Sequence, residues 1–586
     1  MKMPVTATLT ILLAAALFSC SEEFLHKEPQ GITAETIFTN EKGLDALLIG
    51  TYGIISGGVL WEVSWGASAT NWLYGSAASD DAYKGSEMGD ASDITQIEYW
   101  EVSSTNRLSG EKWKWVFMGV TRANEVLRIL GMTEGLTPAR AAEIEAEARF
   151  LRAFFNTEGY LVFKNIPKIT ENTEDPAKVP NTVDIVPHII ADLEFAWENL
   201  PESLQQVGRP TRYAAMALAA KVYLHNGNYS SAGPLLDVII NSGRYSLTES
   251  FHDNFRIATN NNEESIFEIQ ASVNDGACCS GNAEMGIGLN FPHGGDIGMC
   301  CGFHQPSQNL VNAFRVDENG LPLLDSFNDN DLKNDMGIES HEEFIPFDDY
   351  VDPRLDWTVS RRGIPYLDWG VNRGKDWIRY QPHGGPNLPA MKWMFYQSER
   401  YELSASTGWM TGVSANNYRS VRYAQVLLWR AEVHVHDGEP DQAEELVNMI
   451  RERAGNHVVM GRITTYELPK EAYPWNVEID RDQPAANYRV EPYPQGTFTS
   501  MGEEYAMKAV RFEHRLELAT EGHRFFDLRR WGIIDETLND FAGKDGEFRP
   551  QGYMGRARFT SRDRYMPIPQ SQIDMQPGVL EQNPGY

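Results

Sequence analysis

Two segments far apart in the chain share one alternation of apolar and polar positions. In AAKVYLHNGNYSSAGPLLDVII an apolar stretch ends near Gly227, and a second begins at Ala232. In RAEVHVHDGEPDQAEELVNMIRERAG, Gly438 and Ala443 stand at the same interval. A glycine permits the left-handed backbone that ends a helix, and a small alanine lets two helices approach closely. The pattern predicts two helical hairpins of the tetratricopeptide type, and the second helix of the later hairpin is predicted to begin at Pro440.

The spacing of apolar residues within the later hairpin supports this prediction. One face of its second helix carries apolar side chains at i, i+3, i+4, i+7 and i+11, namely Ala443, Leu446, Val447, Ile450 and Ala454. The same periodicity indicates further helices around residues 113–130, 138–163, 182–200, 213–225 and 503–531. The chain is therefore predicted to be mostly α-helical.

A long central region lacks this periodicity. Between about residue 246 and residue 415, Gly, Pro, Asn and Asp become frequent, as is typical of loops and short strands. We expect one body over residues 20–586, with helical hairpins at about 30–245 and 415–586 and a loop-rich insertion between them. Binding residues are often found in such loops, because a rigid scaffold positions them.

The first residues have the pattern of an exported protein. Lys2 provides a positive start, and the apolar stretch from Val5 to Phe18 is too short to span a bilayer, so residues 1–19 are predicted to be a signal peptide. The sequence LFSC at residues 17–20 resembles a lipobox, which predicts lipidation of Cys20. Two or three acyl chains would hold the protein firmly on a bilayer. The alternative is an ordinary secretory signal with an incidental cysteine, since Phe18 is bulkier than the usual small residue.

Acidic side chains dominate the composition. The chain has 82 Asp and Glu against 51 Lys and Arg, and its formal net charge is −31. This charge repels phosphate backbones, which argues against nucleic acid as a partner. It also disfavours highly sulfated or uronate-rich polymers as ligands, although local arginines such as Arg361, Arg362 and Arg373 can create a basic patch.

Apart from Cys20, the cysteines stand as two adjacent pairs, Cys278-Cys279 and Cys300-Cys301. An exported protein allows disulfides, and pairing across the two doublets would constrain the unfolded chain by roughly 3 kcal/mol. Free thiols are one alternative. A metal site is another, although zinc ligands more usually show C-x-x-C spacing. We expect disulfides and no metal.

Five segments, taken in order, resemble segments of the SusD/RagB family of outer-membrane nutrient-uptake lipoproteins. They are FLHKEPQGITAETIF with LDALLIGTYG, EARFLRAFFNTEGYLVFKNIPKI, the hairpin at residues 211–232, YRSVRYAQVLLWRAEVHVHDG with IRERAG, and RFEHRLELATEGHRFFDLRRWG with the tail YMPIPQSQIDMQPGVLEQNPGY. The triplet Asp352-Pro353-Arg354 in the insertion is consistent with the same family.

This resemblance implies a fold and a function. The fold is a mostly α, tetratricopeptide-like right-handed superhelix. The function is that of a lipid-anchored surface protein of the outer membrane, which sits as a lid over a SusC-like TonB-dependent transporter. It captures a ligand, commonly a glycan, and passes it to the channel. The family is not enzymatic, so the resemblance implies no catalytic residue and no cofactor. Within the family, a peptide or other nutrient is the alternative ligand.

Sugar binding requires aromatic rings that cover the apolar faces of pyranoses, with polar groups beside them for the hydroxyls. Two aromatic-rich loop segments meet this requirement, in regions from which the family builds its ligand sites. The candidate ligand-binding residues are Trp61, Trp65, Asn71, Trp72, Tyr74, Asp81 and Tyr83 in the first segment and Trp357, Trp369 and Trp377 in the second. Any single ring can instead belong to the core, because large aromatic residues dominate cores as readily as binding sites.

The C-terminal segment is rich in paired charges. Glu513, Glu517 and Glu521 recur every four residues with arginines among them, which is typical of an ion-paired helix face and not of a catalytic site. Two competing functions stay open. A surface glycoside hydrolase would need two carboxylates about 5 to 10 Å apart across a cleft, and a pure interaction scaffold follows from the helical repeats alone. The acidic stretch 325–335 lacks the glycine of an EF-hand loop and is expected to be solvated.

Overall fold

Helices account for most of the regular structure in the computed structural model, which describes residues 37–59, 62–63, 65–203, 206–277, 281–294, 297–379, 385–407, 410–465, 478–549 and 556–586. In chain order they are α1 (Glu41–Tyr52), α2 (Ser92–Glu98), α3 (Arg107–Leu130), α4 (Pro138–Phe163), α5 (Val186–Asn199), α6 (Arg212–His225), α7 (Tyr229–Asn241), α8 (Gln308–Ala313), α9 (Arg354–Thr358), α10 (Tyr423–His436), α11 (Pro440–Asn456), α12 (Thr497–Met501), α13 (Glu503–Leu518), α14 (Arg524–Arg530), α15 (Ile534–Phe548) and α16 (Gln570–Met575). The mostly helical fold expected from the sequence is confirmed.

Short antiparallel strand pairs supplement the helices. The strands are β1 (Gly58–Val59), β2 (Glu62–Val63), β3 (Ala82–Gly85), β4 (Ser265–Ile269), β5 (Phe303–Pro306), β6 (Ser404–Thr407), β7 (Met410–Ser414), β8 (Tyr418–Arg422), β9 (Met460–Thr465) and β10 (Glu478–Pro484). β3 pairs with β5, with Ala82 opposite Pro306, and β4 pairs with β8, with Ser265 opposite Arg422. The first pair ties the region between α7 and α10 to the segment before α2, and the second lies within that region, where β8 leads directly into α10.

The two hairpins predicted from the repeated pattern are α6–α7 and α10–α11. Gly227 and Gly438 have φ angles of +72° and +78°, the left-handed conformation that is costly for a residue with a Cβ atom. Ala232 and Ala443 are fully buried. The hairpin prediction is therefore confirmed at each of these four positions.

The two hairpins lie far apart in the chain but pack directly on each other. α7 contacts α10, and α10 also contacts α13. Across the first contact, Arg430 Nε donates to Asp237 at 2.6 Å, and the Tyr229 hydroxyl donates to Glu432 at 3.0 Å. This stacking of sequence-distant hairpins builds the tetratricopeptide-like superhelix.

Helix α4 shows how local sequence fixes an element. Thr137 accepts a hydrogen bond from the Arg140 N–H at 3.2 Å, and Pro138 takes the first helical position, where its missing N–H loses no bond. Every residue from Phe150 to Phe163 is buried, because α3 and α5 pack against this helix. The predicted bounds, 138–163, agree with the observed ones.

The helix expected over residues 503–531 is interrupted. α13 ends at Leu518 and α14 begins at Arg524. Between them Gly522 has a φ of +82°, and a Cβ atom on Gly522 would collide with the Thr70 carbonyl, as one on Gly75 would collide with the Gly522 carbonyl. The chain turns here because its backbone must touch the backbone of a segment more than 400 residues away. Helical periodicity carries no signal for such a contact.

Candidate ligand-binding surface

The carboxylates at the end of α13 lie in a buried ion network. Glu513, Glu517 and Glu521 are each at most 2% exposed. Their partners come from other elements, namely Arg354 on α9, Arg422 on β8, Arg451 and Arg453 on α11, and Lys392 in the insertion. This supports the structural interpretation of the segment. The arrangement nevertheless differs from the expected ion-paired helix face, because the charges pair across elements and not along one helix.

Ion pairing keeps the carboxylates of Glu517 and Glu521 charged. Burial alone would raise the pKa of Glu517, but Arg453, Arg422 and Arg354 outweigh it and hold this pKa below its ordinary value. Burial lowers the pKa of the Lys392 ammonium to about 8, and Glu521 opposes that shift from 2.8 Å away. A carboxylate with three cationic partners is a poor proton donor, so the geometry favours cross-linking of elements over acid catalysis.

The rings of the first predicted aromatic segment lie in the core. Trp72, Tyr74 and Tyr83 are each at most 1% exposed. The Trp72 indole N–H donates to the Gly286 carbonyl at 2.7 Å, and the Tyr83 hydroxyl donates to Asp545 at 2.7 Å. An enclosed ring has no face for a sugar, so the assignment of these three residues to ligand contact is corrected to a packing role.

The polar candidates of the same segment are buried as well. Asn71 donates to Glu158 at 2.7 Å and accepts from Lys112 Nζ at 2.9 Å. Asp81 is 1% exposed and pairs with Arg515 at 3.2 Å. Because both side chains are satisfied within the protein, they too are corrected from ligand contacts to members of buried polar networks.

The tryptophans of the second predicted segment differ in exposure. Trp377 is 1% exposed and is corrected to a core residue. Trp369 is 7% exposed, and its indole N–H donates to the Phe395 carbonyl at 2.8 Å. Trp357 is only half-buried and stacks on His252 with 4.4 Å between the ring centroids. Of these three, Trp357 presents the most ring surface to solvent.

Four predicted functional residues, Cys20, Trp61, Cys278 and Cys279, lie outside the described residues. The sulfur atoms of Cys300 and Cys301 lie next to each other, and pairing across the two doublets stays a prediction because Cys278 and Cys279 are outside the described ranges.

A different set of side chains forms a surface that we call the aromatic patch: Trp65, Val273, Asn274, Met285, Arg400 and Tyr401. Tyr401 is 77% exposed. The Arg400 guanidinium lies 5.1 Å from the ring centroid of Tyr401 and 5.4 Å from that of Trp369. Arg400 therefore lies against both rings and orients the exposed one.

The apolar side of the aromatic patch rests on a small core of its own. Trp65, Val273 and Met285 are half-buried and pack against the buried side chains of Ala283 and Val413. Val413 belongs to β7, and residues 284 and 414 exchange backbone hydrogen bonds at 2.9 and 3.4 Å. The β6–β7 hairpin thus holds the loop that presents Met285. Trp65 is the one ring of the first predicted segment that the described structure leaves partly open.

Asn274, which follows Val273 of the aromatic patch, links its segment to Tyr401. Its side-chain amide donates to the carbonyls of Tyr401 and Glu402 at 3.3 and 3.0 Å. Asn274 and Tyr401 have φ angles of +58° and +73°, and such strained conformations cluster at binding sites. An exposed tyrosine with a left-handed backbone indicates that its ring serves binding and not packing.

A buried carboxyl lies under the aromatic patch. Glu284 is 4% exposed and precedes Met285. It accepts hydrogen bonds from the N–H groups of Gly286 and Ile287 at 3.0 and 3.1 Å, and it forms no ion pair with any residue in the described ranges. Burial raises the pKa of Glu284 to about 7, since the two backbone bonds offset only part of the lost hydration.

Sequence reasoning identified Trp65 but missed Arg400, Tyr401, Asn274 and Met285. The available signal was the Arg-Tyr pair inside the second aromatic-rich segment. Tyr401 has a left-handed backbone, however, and the sequence carries no glycine there to mark that conformation.

Family profiles match both parts of the chain. A profile described as the SusD family matches residues 263–586, and a profile described as starch-binding associating with outer membrane matches residues 23–224. SusD-like protein P2 of Formosa agariphila is 22% identical over 98% of each chain. The starch-binding protein SusD of Bacteroides thetaiotaomicron is 25% identical over 66% of this chain and 70% of its own length.

Solved structures share the fold. Surface glycan-binding protein A from Bacteroides thetaiotaomicron, in complex with laminarihexaose, is similar at a TM-score of 0.66 and 20% identity, covering 93% of this chain and 99% of that chain. A SusD-like protein from Bacteroides fragilis gives a TM-score of 0.68 at 20% identity, covering 96% of this chain and all of its own. Because the first profile alone spans more than half of the sequence, the chain belongs to the SusD/RagB family.

Proposed function

We propose that this protein is a cell-surface lipoprotein that captures a glycan on the aromatic patch and delivers it, uncleaved, to a SusC-like TonB-dependent transporter. The observation that carries the proposal is the exposed Tyr401 ring, with the Arg400 guanidinium 5.1 Å from its centroid. Relatives named as surface glycan-binding proteins, one of them solved with laminarihexaose, support a glycan as the ligand class.

The chemistry of the aromatic patch suits a neutral sugar. A tyrosine ring covers the apolar C–H face of a pyranose, and the planar guanidinium of Arg400 keeps N–H edges for hydroxyl groups while it lies against the ring. A net charge of −31 disfavours polyanionic chains at long range. The ion-paired carboxylates of Glu517 and Glu521 support binding without hydrolysis, because their cationic partners keep them charged.

Attachment to the outer membrane is proposed to run through lipid on Cys20. None of the helices in the described ranges has the length and apolar composition needed to cross a membrane. Two or three acyl chains suffice for stable anchoring. Replacement of Cys20 by serine should therefore release the protein from the membrane fraction and abolish incorporation of labelled palmitate. Membrane retention of the Cys20→Ser protein would contradict this part of the proposal.

Calorimetry with the mature protein lacking its lipid tests the ligand proposal. Neutral glycans such as laminarin, starch and xylan are titrated beside peptide digests, and the products are checked for cleavage. One glycan class should bind saturably, and Tyr401→Ala should weaken it about fivefold or more, because stacking on one ring contributes about 1 kcal/mol or more.

The matched control is Tyr350→Ala. Tyr350 is also exposed, at 38%, and the Arg489 guanidinium lies 4.4 Å from its ring centroid. Its loss should leave glycan affinity unchanged. Equal effects of the two substitutions would reject the aromatic patch as the site. Heat from peptides alone would reject the glycan and favour peptide capture, and release of shorter sugars would favour a hydrolase.

A further inference from the structure

A groove with a volume of about 880 Å³ lies between α13, α15 and the segment that follows α8. This volume is in the usual range for ligand pockets, about 300 to 1,000 Å³. Its walls include the apolar side chains of Met507 and Phe512 from α13 and of Ile533 and Phe541 on the opposite side. The groove shares no residue with the aromatic patch, so a site here is independent of the proposed function.

The charges on the groove floor are mostly neutralised within the protein. Arg515 and Arg524 pair with Asp80 at 3.0 and 2.8 Å, and Arg515 also pairs with Asp81. Burial alone would raise the pKa of Asp80, but these arginines outweigh it and lower the pKa to about 2. Two cations thus face two carboxylates, so this part of the floor has no net charge that could attract a charged ligand.

Arg511 is the exception. Within the described residues it donates no hydrogen bond and forms no ion pair, and its Nε is buried without a partner. Its guanidinium lies 5.4 Å from the Trp531 ring centroid and borders the groove. Burial lowers the pKa of Arg511, with Glu432 as the largest opposing influence. A half-buried, unpaired guanidinium positioned over an indole has N–H groups that can bind a planar anion.

The rim limits the anion to a single charge. Four carboxylates, Glu503, Glu504, Glu536 and Asp540, are exposed along the two walls of the groove. They repel a ligand with several negative groups, whereas one carboxylate can reach Arg511 at the floor if the rest of the molecule is neutral or cationic.

From this arrangement we infer that the groove is a second ligand site, which binds a molecule with one carboxylate by a two-point hydrogen bond to Arg511. The apolar walls contact the uncharged remainder. Two sources supply this chemistry: a neutral oligosaccharide capped by one uronic acid, and the free C-terminus of a short peptide.

Five probes separate the sources by calorimetry on the mature protein. They are aldotetraouronic acid, neutral xylotetraose, a neutral tripeptide with a free C-terminus, the same tripeptide amidated, and trigalacturonate. Saturable binding is expected for the uronic-acid-capped sugar or the free tripeptide. The matching probe without a carboxylate and the trianionic one should bind at least tenfold more weakly. Absence of saturable binding for both monocarboxylates at millimolar concentration would overturn the inference.

Arg511→Gln should reduce affinity for the bound monocarboxylate by about tenfold or more, because a charge-assisted two-point bond is lost. Lys508→Gln is the matched control: it removes the same charge from the same wall, but Lys508 is already paired with Asp325 at 2.5 Å. Equal losses in the two variants would show a long-range charge effect and reject a direct contact. Arg511→Lys keeps the charge without the planar fork and should bind with intermediate affinity. Melting temperatures confirm that each variant is folded, and Tyr401→Ala should leave this binding unchanged.

Discussion

Two tyrosines in segments of similar composition have opposite environments. Residues 71–83 and 393–401 both place tryptophan and tyrosine beside polar or charged side chains. In the first segment, Tyr83 is fully buried and bonds Asp545, 462 positions away in the chain. In the second, Tyr401 is 77% exposed, and the ring is oriented by its neighbour Arg400. Rings whose polar tips bond remote elements hold the fold together, whereas a ring fixed by its own neighbour stays available to a ligand.

The loop at residues 284–286 connects the two regions. Gly286 accepts the hydrogen bond of the buried Trp72 indole, while Met285 belongs to the aromatic patch and packs on the same buried side chains as Trp65. The first region therefore supports the second from below. Substitutions in the core segment should change stability, and substitutions in the aromatic patch should change binding.

Removing the ring of Trp72, in the buried segment, should have the largest effect on stability. Trp72 is 1% exposed and donates to Gly286, so Trp72→Ala leaves a large cavity and an unpaired carbonyl. The free energy of unfolding should fall by about 3 to 5 kcal/mol. Urea denaturation measures it, and a loss below about 1 kcal/mol would mean that the segment is not the support described above.

The loop between the two regions should respond to pH through Glu284. Its pKa is about 7 in the folded protein and is taken as the ordinary 4.5 in the unfolded chain. Between these values the folded protein keeps a proton that the unfolded chain releases, so stability falls as pH rises through this window. At 1.36 kcal/mol per pKa unit, the full loss is roughly 3 kcal/mol.

Glu284→Gln removes that titration while keeping the shape of the neutral acid. The variant should therefore lose less stability than the wild type between pH 5 and pH 8, by about 2.5 kcal/mol. Denaturant midpoints at several pH values measure the difference. Identical pH profiles for the two proteins would show that Glu284 is hydrated and that the loop is less tightly packed than the structure indicates.

A smaller loss is expected from Tyr83→Phe. The Tyr83 hydroxyl donates to Asp545 and accepts from the Gln308 N–H at 3.1 Å. Phenylalanine keeps the packing but leaves both buried partners short of one bond, which should lower the free energy of unfolding by about 2 kcal/mol. Tyr350→Phe is the exposed control and should change nothing. If Tyr83→Phe left the free energy of unfolding as unchanged as Tyr350→Phe, rings with remote partners would not differ from rings without them.

The sequence predicts the structure well where it depends on neighbouring residues. It does not predict structure that depends on contacts between remote segments. The α4 bounds follow from Thr137, Pro138 and the apolar periodicity, and the left-handed glycines mark the turns of both predicted hairpins. The break before Arg524 and the burial of Trp72 depend on backbone contacts that join distant segments. Composition therefore selected regions correctly as aromatic, but it could not separate core rings from surface rings.

The smallest expected effect concerns the backbone of Tyr401. Its φ of +73° is a left-handed conformation in which a Cβ atom costs about 1 to 2 kcal/mol and glycine costs nothing for strain. Tyr401→Ala keeps this strain and Tyr401→Gly relieves it, so the glycine variant should be the more stable of the two by about 1 kcal/mol. Both should lose glycan affinity alike, because both lack the ring. Denaturation and calorimetry on the same pair check the two statements. An alanine variant as stable as the glycine variant would show that the backbone relaxes. The strain would then be no evidence that this position holds its tyrosine for a ligand.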